Sequence, residues 1–200
     1  MNIDLKLKGL DKALLMFDPK QVRKAARMSI NDGLTTGRKI ASQEIRKDWN
    51  IKAARLNKEL KKFKKANNND LTAIIQAKGR PISLIHFGAK WKRGRITTTG
   101  TKSTMGKRNI RSGGGVTVQI RKGKLTLLPH AFIATTRAGK SGTHVGVFER
   151  VGRSRLPVQS KASVTVATMF NQPGVMTPTV KHVGDRMAAR FSHHLALLIK

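Results

Sequence analysis

DPKQVRKAARMSINDGLTTGRKIASQEIRK, residues 18–47, carries the reading on which the fold class turns. Asp18 followed by Pro19 opens a helix. The carboxylate accepts from the orphan backbone donors of the first turn, and proline sits where its missing N–H costs nothing. From there Val22, Ala26, Ser29, Ile30, Gly33, Gly37, Ile40, Ala41 and Ile45 recur at three- and four-residue steps, which predicts one long amphipathic helix to about Lys47. Gly33 and Gly37 each cost a helix about 1 kcal/mol relative to Ala, so they mark either a break or close approach by a neighbour. Close approach is the preferred reading.

Outward from this helix the period changes. Upstream, Ile3, Leu5 and Leu7 alternate with polar residues as in a half-buried strand, and Gly9 closes the run. Downstream, Asn50 is placed to cap a short basic helix through about Leu60. The turn-forming cluster Asn67 to Asp70 lies between Phe63 and the alternating Leu71, Ala73, Ile75 and Ala77, which predicts a hairpin. Residues 93–115 bring Gly, Ser, Thr, Lys and Arg with few apolar residues, and are expected to form a mobile basic loop. Strand-like runs follow at Val116 to Ile120, Leu125 to Leu128, Ala131 to Thr135 and Val145 to Val151, with turns at Lys122-Gly123 and Gly139 to Gly142. Thr177 and Pro178 repeat the cap-then-proline start, and Val180, Val183, Met187, Phe191, Leu195 and Leu198 give a second helical stripe. The expectation is a single α+β domain over residues 1–200, with a central, mostly antiparallel sheet of four to six strands and long amphipathic helices at both ends, covering one face of the sheet.

The chain has 200 residues, 41 Lys and Arg against 10 Asp and Glu, a net charge of +31, and no Cys. Disulfides, thiolate metal sites and Cys nucleophiles are thereby excluded. No apolar run approaches the roughly 18 residues of a membrane span, and no signal core precedes the basic N-terminal region, so synthesis and assembly in the cytoplasm with no membrane partner are expected. Charge is unevenly distributed: eight of the ten acids lie in the first 70 residues, whereas Arg80 to Lys161 holds eighteen basic side chains and one acid. A surface built for solubility mixes its signs, so an anionic partner is expected. The candidate contacts are Lys90, Lys92, Arg93, Arg95, Lys102, Lys107, Arg108, Arg111, Arg121, Lys122, Lys124, Lys140, Arg150, Arg153 and Arg155.

Chemistry is poorly served by contrast. Ala134 to Ser141 resembles a phosphate-binding loop, but Ala stands where the first Gly belongs, and a strand pattern follows where a helix is required. The six histidines lack metal-ligand spacing, and Glu149 between Phe148 and Arg150 reads as an ion-pair partner. No catalytic residue, cofactor or metal site is assigned, and an enzyme is not expected. With no Tyr and 4% aromatic residues, the stacking platforms of single-strand binders are nearly missing, although Trp91 lies between Lys90 and Lys92.

Several segments together are more specific. Arg80-Pro-Ile-Ser-Leu-Ile-His-Phe87 followed by a basic stretch, Gly115-Val-Thr-Val118, His130-Ala-Phe-Ile133, Gly146-Val-Phe-Glu-Arg150 and Ser154-Arg-Leu-Pro-Val158 resemble the minor tail protein Z family of lambda-like phages and prophages. Ser29-Ile-Asn31 in the leading helix, and the closing helix, sit where that family has theirs. The resemblance implies a structural virion protein completing the tail near its head-proximal end and enabling head–tail joining. It further implies tail and neck proteins such as the terminator and connector as partners, and a homo-oligomeric ring, with sixfold symmetry as the natural guess. Phage DNA in the ring's lumen is a further partner the charge would suit. The rival reading from charge alone is sequence-independent DNA binding through basic loops.

Overall fold

The computed structural model describes residue 7 and residues 9–99, 108–112, 114–137, 143–152, 154 and 156–199, with the backbone alone at 95–99, 108–112 and 137. In chain order the elements are α1 (Leu10–Met16), α2 (Pro19–Asp48), α3 (Ala53–Glu59), β1 (Leu60–Lys64), β2 (Ile74–Ala77), β3 (Pro81–Ser83), a 3-10 turn (Leu84–Phe87), β4 (Lys90–Lys92), β5 (Arg95–Thr99) and β6 (Arg108–Ser112). They continue with β7 (Gly115–Val118), β8 (Thr126–Leu128), β9 (Ala131–Arg137), β10 (Thr143–Arg150), β11 (Val158–Ser160), β12 (Ala162–Thr165), α4 (Val166–Phe170) and α5 (Pro173–Leu198). The fold is α+β, with long helices toward both ends of the chain. Two compact units form: residues 1–47, 52–80 and 165–200 make the first, and 48–51 with 81–164 make the second.

In the first unit α2 follows its sequence signal. Asp18 Oδ1 accepts from the Lys20 N–H at 3.0 Å, and the helix runs from Pro19 to Asp48. Its small residues let α5 come close: a Cβ on Gly33 would stand 2.5 Å from Met187 Cγ, and one on Gly37 would stand 2.8 Å from Val183 Cγ2. The two glycines therefore mark close approach and not a break. As α2 advances from Ala26 to Gly37, its contacts on α5 retreat from Phe191 to Val183, so the two helices run antiparallel. Arg190 Nε donates to Asp32 Oδ2 at 2.7 Å, and His194 Nε2 lies 3.3 Å from the same oxygen. Burial pushes the Asp32 carboxyl up, but these bonds more than reverse it and leave its pKa below the ordinary carboxylate value.

α2 also holds the hairpin. Asn31 exchanges two hydrogen bonds with the Ala66 backbone, both 3.0 Å, and Arg38 donates to the Leu60 and Asn57 carbonyls. β1 pairs antiparallel with β2 as the sequence predicts, with a bulge at Phe63 between Lys62 and Lys64. Three readings need correction. α1 was not foreseen: Gly9 at φ 84° starts it, and Ala13, with the partly buried Leu10 and Leu14, packs on Val22, Ala25, Ala26 and Phe191. Asn50 caps nothing; Lys52 precedes α3, and Asn50 Nδ2 reaches the Phe87 carbonyl at 3.4 Å. α5 starts at Pro173 rather than Pro178: a proline again takes the first turn, but Gln172 before it makes no side-chain cap. Pro178 is tolerated inside the helix, where it deprives only the exposed Gly174 carbonyl of its donor. The strand read over residues 2–8 lies outside the described residues apart from Leu7, which packs on the same cluster as α1.

Among the described residues the second unit shows several small antiparallel sheets and not one central sheet. Strands mostly three to five residues long group as β4-β7-β8, β9-β10-β11 and β5-β6, and β12 pairs with β3. Ile82, Leu84, Phe87, Val116, Val118 and Val147 are among its buried residues, with Trp49, Ile51, Ala131 and Phe148. The segment 93–115, read as a loop, carries a hairpin instead, with Arg95 paired to Ser112 and Thr99 to Arg108. Threonine and isoleucine, both β-branched, favour extended backbone. The rest of that segment's tip, 100–107, and the turn read at Gly139 to Gly142 lie outside the described residues.

Candidate interaction surface

The second unit positions its cations by strand pairing. β4 lies along β7, with Lys90 opposite Thr117, Trp91 opposite Val116 and Lys92 opposite Gly115. β4 is an edge strand, and all three of its side chains are exposed, Trp91 at 59%. Arg93 follows, also exposed, and the chain then enters the β5-β6 hairpin, whose backbone carries Arg95, Arg108 and Arg111. At the far end of β7, the turn into β8 presents Arg121, Lys122 and Lys124, all exposed. Gly123 takes φ 78° there, a left-handed conformation that glycine enters without strain. The Lys122 N–H donates to the Asp48 carbonyl at 2.8 Å, and Trp49 bridges to Arg121, which fixes the turn. Cations thus stand at both ends of a four-residue strand, separated by about 10 Å of extended backbone.

The rest of the set is dispersed. Arg150 ends β10 in the other three-stranded sheet, its guanidinium 5.7 Å from the Phe132 ring centroid. Lys102, Lys107, Lys140, Arg153 and Arg155 lie outside the described residues. Arg121 has a second role that no sequence signal announces: its guanidinium stands 4.7 Å over the buried Trp49 ring, a cation–π contact.

Little local negative charge opposes these groups. Glu149 pairs with Lys161, as its sequence context suggests. The Lys161 hydrogen bond, helped by the charges of Lys161 and His130, overcomes desolvation and holds the Glu149 carboxyl below its ordinary value. The pair rims a small cleft of about 280 Å³, lined with Leu84, Val118, Leu128 and Pro129, that also admits His130. Sequence spacing did not bring His130 near Glu149; the fold does. The carboxylate is committed to an ion pair, which suits it poorly to proton transfer. Among the described residues no three His, Asp or Glu side chains gather as a metal site, and no helix is long and apolar enough to cross a membrane.

The segments that carried the resemblance are the framework of this unit. Arg80 to Phe87 contributes β3 and the buried Ile82, Leu84 and Phe87, Gly115 to Val118 is β7, and Gly146 to Arg150 is most of β10. No curated protein and no solved structure matches the chain. The family model for prophage minor tail protein Z, however, matches residues 7–200. Covering both units from the first turn of α1 to the end of α5, that match establishes that the chain belongs to the prophage minor tail protein Z family, whose members have a structural role in the phage tail.

Proposed function

We propose that this tail protein completes the tail at its head-proximal end and makes it competent to join the DNA-filled head. It acts as a ring of copies, the whole chain serving as one tail-completion module, and it makes and breaks no covalent bond. The observation that supports this reading is the exposed cationic set on β4 and on the β7-β8 turn, whose unit holds only Asp48 and the already paired Glu149 as acids. Such a surface meets an external anion, either DNA in the lumen or acidic faces of neck proteins.

Tails assembled without the protein, then supplied with it, should regain joining to filled heads. Replacing Lys90, Lys92 and Arg93 with Gln should leave the melting temperature nearly unchanged, since exposed substitutions usually stay within about 0.5 kcal/mol. Joining should fall sharply. Parental joining by this variant, at parental occupancy of the tail, would overturn the role given to the surface. The exposure of Trp91 among the same cations favours a second reading, sequence-independent DNA binding without a tail partner. It predicts affinity for random duplex whose logarithmic salt slope is about 0.9 per phosphate neutralised.

A further inference from the structure

The β1 strand of the first unit presents a second basic surface of a different kind, with four lysines within residues 61–65. Its sequence Leu60-Lys-Lys-Phe-Lys64 continues into Lys65. Burial alternates along it: Leu60 is buried, Lys61, Phe63 and Lys65 are exposed, and Lys62 and Lys64 are half-buried. The half-buried lysines are engaged, Lys62 with Thr35 Oγ1 at 2.8 Å and Lys64 with Asp70. Among the described residues no carboxylate pairs with Lys61 or Lys65. Between them Phe63 is 66% exposed.

Two physical points make this more than a solvated strand. An exposed phenyl forgoes burial worth roughly 1.5–3 kcal/mol, while the lysines directly before and after it in the strand are half-buried. Phe63 is also the extra residue of the bulge, having no direct partner on β2. Bulges re-aim side chains, and this one leaves the ring in solvent with unpaired ammonium groups on either side. Flat aromatic surface flanked by free cations complements a ligand that is anionic along its length and carries exposed planar rings.

We infer that Phe63, with Lys61 and Lys65, forms a stacking station for single-stranded nucleic acid, the ring packing on an unpaired base while the lysines meet adjacent phosphates. An acidic protein face does not alternate its charges with unstacked rings at a regular spacing, and duplex DNA keeps its bases stacked on one another. The inference goes beyond the proposed tail-joining role and concerns side chains of the other unit. Its outcome is therefore separable from the joining experiment.

The test is fluorescence anisotropy with labelled oligothymidine of about 12 nucleotides, within the site sizes of known single-strand binders. The same strand annealed to oligodeoxyadenosine serves as the duplex, with polyglutamate as competitor. Phe63→Leu should weaken single-strand binding by about fivefold to a hundredfold, the range for losing one stacked base. Duplex binding should be unchanged, and Phe63→Trp should hold or raise single-strand affinity. Lys61→Gln with Lys65→Gln should lower the logarithmic salt slope for the single strand by about 0.7 per lysine. Circular dichroism on each variant separates a lost site from a lost fold. Unchanged single-strand affinity in a folded Phe63→Leu protein would overturn the inference, and so would displacement by polyglutamate at the same charge concentration as oligothymidine.

Discussion

At Gly33 an added methyl would lie 2.5 Å from Met187 Cγ and 3.0 Å from its Sδ; at Gly37 it would meet Val183 Cγ2 at 2.8 Å and Ile75 Cδ1 at 3.2 Å. Alanine gains about 1 kcal/mol of helix propensity at either position, against about 1–3 kcal/mol for overpacking. Met187 can bend away, whereas the branched Val183 is stiff at χ1. Gly33→Ala should therefore cost about 1 kcal/mol and Gly37→Ala about 2 kcal/mol, read as shifts in urea midpoint at constant slope. A stabilised variant at either site would mean that the helices are not in contact there. These two glycines were legible as anomalies because a mid-helix Gly has a known cost. The residues they admit were not, since a stripe shows which face is buried and not what covers it.

The β1-β2 hairpin is held by side chains of its own loop as much as by its ladder. Asn67 Oδ1 accepts from the Asn69 and Asp70 N–H groups, and Asp70 Oδ1 accepts from the Thr72 N–H at 2.9 Å. The hydrogen bond from Lys64, reinforced by Thr72, lowers the Asp70 carboxyl from 3.8 to about 2. A carboxyl depressed on folding adds stability that is complete above its unfolded value and is lost as the pH falls through the folded one. Asp70→Asn should thus lower the urea midpoint at neutral pH, and its difference from the parent should shrink between pH 4 and pH 2, closing near about 2. A difference that stays constant with pH would remove the ion pair from the hairpin's stability. The hairpin could be read in advance because its turn cluster and alternation occupy adjacent residues. Of the three-residue strands, β8 fell within the strand-like run Leu125 to Leu128, whereas β3, β4 and β11 hold too few residues to show a period and have no such run.

Taken whole, the molecule carries +31 charges on 200 residues and must spend part of its folding energy on self-repulsion. Added sodium chloride should raise its melting temperature, since the screening length shrinks to about 10 Å at 0.1 M, and each 1 kcal/mol recovered is worth roughly 2–4 °C at this size. A melting temperature insensitive to salt would show that the fold already spaces its cations beyond one another's reach. At this scale the charge surplus of the middle segment was plain from counting, whereas the Phe63 station was not, because a count registers its lysines without showing which of them are paired or that the ring between them is exposed. The first unit is also discontinuous, built from residues on both sides of the second. Ribosomes deliver α5 after α1, α2 and the hairpin have already left the exit tunnel. Until it arrives, the notches at Gly33 and Gly37 and the alanines that meet Phe191 lack the helix that covers them. A message broken anywhere before Thr165 would leave that nascent half permanently unclosed.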